Sequence, residues 1–177
     1  MNPSHVTTAL ELLSSTKAKE RNDALQELVT ILKHNPDIIP TKLLASTIEH
    51  LIEVLDGERS KYCKLISQAG ESAQNRVSIT ENRLSTISYV VRLLVEKTCE
   101  RYKTKHIRLL ITLLPELMLQ EGGQQPLDPV AQHLLYAILF LVQSESFSLK
   151  VELHQWIGLT GTMCRYLRHH LNILPNG

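Results

Sequence analysis

Apolar residues recur at three- and four-residue steps along almost the whole chain, the spacing that gathers them on one face of an α-helix. Val6, Ala9, Leu10 and Leu13 mark a first helix from about Pro3, and Ser14-Ser15-Thr16 supplies a break and an N-cap. Ala24, Leu25, Leu28, Val29, Ile31 and Leu32 carry a second helix to about Lys33. Asn35-Pro36 stops it, because the residue before a proline is pushed out of the α region. Thr41 is the expected cap of a third helix with Leu44, Ile48, Leu51, Ile52 and Leu55 on its apolar face. Asp56-Gly57 should end or loosen that helix, although Glu58 to Ser67 could prolong it.

Residues 68 to 77 are polar without period and read as a mobile loop. Ser78 and Glu81 have capping-box spacing, so a long helix is expected from there to about Tyr102, carrying Leu84, Ile87, Val91, Leu94 and Val95. The next helix follows Lys103-Thr104 through Ile107, Leu110, Ile111 and Leu114; Pro115 should kink it, and Gly122-Gly123 should close it. Asp128-Pro129 reads as an N-cap followed by proline at the first helical position. The segment to about Val142 is apolar nearly all round, which suits a helix buried between neighbours. Ser144 to Ser148 reads as a turn. A last helix from about Lys150 to Leu171 places Trp156 with Leu153, Leu159, Met163 and Leu167, while Gly158 and Gly161 weaken it or permit close packing.

The pattern describes an all-α HEAT-like solenoid of about seven helices in antiparallel pairs, occupying residues 1–177 as a single segment. The composition agrees, with 7 glycines, 7 prolines and 5% aromatic residues. A formal net charge of +1 lacks the basic footprint of a dedicated nucleic-acid binder, so any DNA contact would be local. Cys63, Cys99 and Cys164 lack CxxC spacing, which argues against a disulfide framework or a zinc site and for a reducing compartment. No stretch reaches the roughly 18 apolar residues of a membrane span, and the N-terminus lacks a secretory pattern.

Leu13, Lys17, Glu20, Arg21 and Leu25 stand out as a spaced set. On an uninterrupted helix the three charges fall on the same face as Leu13, Ala24 and Leu28, where they need partners. Lys17 and Glu20 have i,i+3 spacing, and Arg21 could bridge to Glu49 or Glu53 of the next helix. Two readings stay open: a clasp that fixes the first helix pair, which is favoured, or a face that receives a protein partner.

This set resembles the TAN motif of the ATM and fungal telomere-maintenance kinases, aliphatic-x-x-x-Lys/Arg-x-x-Glu/Asp-Arg-x-x-x-aliphatic. The run from Asn82 to Arg101 with Lys103 and Lys105 also resembles the basic helix pair of that family, and the Trp156 helix resembles the one that follows. The resemblance implies a non-catalytic N-terminal region of a large serine/threonine kinase in double-strand-break checkpoint signalling and telomere length maintenance. It further implies a nuclear location and the Mre-Rad-Nbs complex and the rest of the kinase solenoid as partners. ATP and magnesium would belong to the parent kinase, with no cofactor in this segment.

The segment carries no glycine-rich phosphate loop, Asp-Phe-Gly, HExxH or GxSxG pattern, so it is not expected to be an enzyme by itself. Cys164 with His169-His170 does not converge on a metal, and His133 and His154 read as interface or surface residues. Lys97, Arg101, Lys105 and Arg108 would form a basic surface if their helix were continuous, but Glu96 and Glu100 interrupt its field, and a solvated face is favoured over a DNA groove. Ser67-Gln68 is a candidate target of the parent kinase. The competing reading is a stand-alone helical-repeat adaptor with no enzyme attached.

Overall fold

The computed structural model describes residues 2–68, 70, 73–120, 125–144 and 152–173. Among them are seven α-helices: α1 (Pro3–Leu12), α2 (Ala18–His34), α3 (Thr41–Gln68), α4 (Gln74–Thr98), α5 (Thr104–Leu117), α6 (Asp128–Gln143) and α7 (Leu153–Ile173). Each of the first three pairs, α1–α2, α3–α4 and α5–α6, packs face to face. The pairs stack in register, so α1, α3, α5 and α7 form one layer and α2, α4 and α6 the other. That two-layered stack of helical hairpins is the expected solenoid.

Local chemistry explains most boundaries. Asn2 caps α1 by accepting from the Ser4 amide at 3.3 Å, with Pro3 in the first turn. α2 stops at His34, and a 3₁₀ turn, Pro36–Ile38, then drives Ile39 fully into the core. α5 starts with the neutral ring of His106 accepting from the Lys103 amide through Nδ1 at 3.2 Å, the role usually taken by a glutamate at that position. Burial first, then Lys105 and Lys103, pushes that imidazole below its ordinary pKa, which keeps Nδ1 an acceptor.

Several expected boundaries shift. α3 runs unbroken through Asp56-Gly57 to Gln68, because Leu55 and Glu58 continue the buried stripe across the glycine. α4 begins at Gln74, so residues 74 to 77 are helix rather than loop, and Ser78 is an exposed position inside α4, not its cap. Burial of Val77 and Thr80 extends the apolar stripe one turn ahead of the capping-box match. α4 also ends at Thr98, and a 3₁₀ turn, Cys99–Arg101, separates it from α5. α5 ends at Leu117, less than one turn beyond Pro115; Gly122-Gly123 lie outside the described residues. Leu127 is the N-cap of α6, with its carbonyl accepting from Val130 and Ala131, which makes Asp128 the first helical residue. Of the expected turn at Ser144 to Ser148, only Ser144 is described.

Two apolar faces are less covered than their composition suggested. α6 buries Val130, Ala131, Leu134, Ala137, Ile138 and Leu141 but exposes Tyr136, Leu139 and Val142, because it packs chiefly on α4 and α5. α7 buries Leu159 against α5, while Leu153 and Leu167, grouped with it by the sequence pattern, are exposed. Rings and cations cover part of the outer surface of the second layer. Lys33 lies 5.7 Å from the Tyr89 ring centroid, Tyr89 tilts against His133 at 5.5 Å, and Arg92 sits 4.2 Å over Tyr136.

Gly57 sits inside α3, and a methyl group added there would meet nothing within 4 Å. Gly57→Ala is therefore expected to stabilise the fold by about 0.5–1 kcal/mol, read as a higher midpoint in urea. An unchanged or lower midpoint would count against a regular α3 at that turn.

Candidate interaction site at the first helical turn

The charged set does not lie on one continuous helix. α1 ends at Leu12, Leu13 continues in helical geometry as its C-cap, and residues 14 to 16 turn the chain. Lys17 is the N-cap of α2, with extended backbone at φ −87° and ψ 120°. Glu20 and Arg21 thus occupy the third and fourth positions of α2. The break resets the helical phase between Leu13 and α2, so Lys17 is left in solvent, while Glu20 and Arg21, both half-buried, keep their phase with Ala24 and Leu28 inside α2.

What forms instead is a self-contained cap. Ser15 Oγ accepts from the Lys17 amide at 3.1 Å and donates to Glu20 Oε2 at 2.5 Å. Glu20 Oε1 accepts from Lys17 Nζ at 2.8 Å. A carboxylate at the third helical position ordinarily reaches back to the cap amide; here Ser15 relays that contact. It also places negative charge at the positive end of the helix dipole. Lys17 first and Ser15 second hold the Glu20 carboxyl below its ordinary pKa. Lys17 itself keeps 75% of its side chain in solvent.

Arg21 ties the same turn from inside. Its Nη1 donates to the Ser15 carbonyl at 2.6 Å, and its Nε is enclosed without a hydrogen-bond partner. The expected bridge to Glu49 or Glu53 is not made, since those residues face α5 rather than α2. The part of α3 that meets the motif is one turn further on. Val54, Gly57, Glu58 and Lys61 share with Leu13, Ser14, Ser15 and Arg21 a shallow cavity of about 190 Å³. The two aliphatic ends of the motif, Leu13 and Leu25, are buried at 4% and 3% exposure.

Glu58 is the consequential residue that the sequence pattern did not single out. It is buried in the α3–α4 seam, where it accepts from Arg83 Nη1 at 3.3 and 3.4 Å and from Lys61 Nζ at 3.2 Å. Its position on the apolar stripe of α3, seven residues after Leu51, was the available signal.

The second candidate set is not assembled into one surface. The 3₁₀ turn interrupts the helix between Lys97 and Lys105. Lys97 lies 3.9 Å from Glu96, and Arg108 pairs with Glu152 at 3.0 Å. Arg101 turns inward and donates to the Ile39 carbonyl at 2.8 Å, joining the α4–α5 corner to the α2–α3 connection. Lys105 remains exposed in the first turn of α5. Among the described residues no group of His, Cys, Asp or Glu could hold a metal, and no helix is long and apolar enough to cross a membrane.

A family described as "Telomere-length maintenance and DNA damage repair", TAN, matches residues 6–157, which includes the whole of the capped turn. The chain belongs to the TAN family. Serine/threonine-protein kinase TEL1 of Saccharomyces cerevisiae is 49% identical over 168 residues, covering 95% of this chain and 6% of the relative. TEL1 of Kluyveromyces lactis is 38% identical over 93% of the chain, and TEL1 of Candida glabrata 32% over 87%. The chain thus spans about 6% of the length of these relatives. No solved structure matches it.

Proposed function

We propose that this segment is the non-catalytic amino-terminal helical region of a serine/threonine kinase that acts in double-strand-break signalling and telomere length maintenance. The single observation that carries the reading is the 49% identity to a TEL1 kinase across 95% of the chain. It favours a kinase-borne segment over a free-standing adaptor. ATP and magnesium then belong to the catalytic part of the parent, and the nucleus is the place of action. The Mre-Rad-Nbs complex is the partner proposed for recruitment, on family grounds. The dispersed cations around Arg101 support no DNA groove.

Within that role the TAN turn acts first as a packing element. Glu20 and Arg21 are spent within the turn, on Lys17, Ser15 and the Ser15 carbonyl, so the motif shapes the tip of the solenoid more than it offers free charge. The exposed faces of α6 and α7 suit the remaining solenoid of the parent as their cover. Arg21→Ala in the full-length kinase tests this. The hydrogen bond from a charged donor is worth about 1.5–3 kcal/mol, so the variant should be cleaved faster in limited proteolysis near the α1–α2 turn and should shorten telomeres. Normal telomeres with an unaltered cleavage pattern would refute the clasp. Short telomeres with unaltered cleavage would assign the motif to docking instead.

A further inference from the structure

We propose that the groove between α3 and α5 docks a basic amphipathic helix supplied by a separate protein. The two helices belong to the same layer but touch only lightly, leaving a cavity of about 300 Å³ between them. Its floor is apolar, built from Ile52 of α3 and Leu109, Leu113 and Leu117 of α5. Its walls are acidic, with Glu49, Glu53 and Asp56 on one side and Glu116 on the other. Glu49, Glu53 and Asp56 follow one another at four- and three-residue steps, a line of about 10 Å along α3.

Of these four carboxylates only Asp56 is answered by an ion pair within the described residues. Asp56 pairs with Arg59 at 2.8 Å, and Arg59 spends its remaining donors on the carbonyls of Leu119 at 3.0 Å and Glu116 at 3.4 Å. Glu49, Glu53 and Glu116 make no ion pair there, in a chain whose 19 basic residues would allow one. Arg59 closes one end of the groove, and Lys105, one turn before Leu109, marks the other. A negative wall of limited length over an apolar floor complements a short helix with an apolar stripe flanked by Lys or Arg, the helix-in-groove mode of recognition. An acidic or purely extended polar segment would leave either the floor or the walls unmatched.

The test uses the full-length kinase and two fluorescein-labelled peptides of about 14 residues, enough for a few helical turns. One carries leucines on a single stripe flanked by lysines; the other has glutamate in place of every lysine. The lysine peptide should bind by anisotropy and weaken with added salt. Glu49→Lys/Glu53→Lys should weaken it about tenfold and should improve binding of the glutamate peptide. Both positions are exposed, and an unchanged limited-proteolysis pattern of the variant's amino-terminal segment would establish its fold. The proposal is overturned if the wild-type kinase fails to bind the lysine peptide, which would mean the groove is covered in the whole chain. It is equally overturned if the double variant binds both peptides as the wild type does. Neither result bears on whether the segment belongs to a telomere-maintenance kinase.

Discussion

Glu58→Ala is expected to destabilise the segment by about 3 kcal/mol, because it leaves the Arg83 guanidinium uncompensated in the α3–α4 seam. Only 7% of the Glu58 side chain and 16% of Arg83 are exposed, and Arg83 Nε already lacks a partner. Removing the carboxylate therefore strands a desolvated cation between two helices that pack along much of their length. In a chain of this size each kcal/mol moves the melting midpoint by roughly 2–4 °C, so a fall of roughly 6–12 °C should be seen. Lys61 reaches the same carboxylate from a side chain 67% in solvent, and Lys61→Ala should cost less than about 1 kcal/mol. Replacing both Glu58 and Arg83 by leucine should recover much of the loss, since an apolar pair of similar volume needs no compensation. Urea denaturation of the three variants decides the matter. A Glu58→Ala midpoint equal to wild type would show that the seam is wetter or more adaptable than its geometry indicates.

The same residue shows where the sequence could and could not be read. Helix number, the two-layered stack and most of the buried apolar positions of α1 to α5 followed from three- and four-residue periodicity, because one apolar face per helix is what a solenoid requires. Periodicity also located Leu13 and Leu25. It misplaced Lys17, which the turn at residues 14 to 16 sets in solvent as the N-cap of α2, while Arg21 keeps its phase with Ala24 and Leu28 and is half-buried. The cap that forms at this turn rests on Ser15 relaying a contact from Glu20, a spacing outside the usual cap-to-third-position pattern. Ser78 with Glu81 shows the opposite failure: a correct capping spacing was overridden because burying Val77 one turn earlier favoured extending the helix. The α3–α5 groove was not legible at all. It depends on two helices about 60 positions apart in sequence lying side by side without closing, which no local pattern encodes.

Leu25→Ala should be the most damaging substitution within the motif, and Lys17→Ala the least. Leu25 is 3% exposed in the α2 core stripe, where truncation of a leucine costs about 2–5 kcal/mol. It also borders the open 390 Å³ groove between α2 and α4, beside Ile79 and Arg83. Water and neighbouring side chains can enter from that side, so the loss should fall near the lower end, at about 2–3 kcal/mol. Lys17 lies in solvent and contributes a single surface pair, so its loss should cost less than about 1 kcal/mol. If the motif acts by packing, telomere length in cells should follow this order, short with Leu25→Ala and near normal with Lys17→Ala. Telomeres shortened equally by both, with the stability difference confirmed in urea, would show that the exposed ammonium is read directly by a partner.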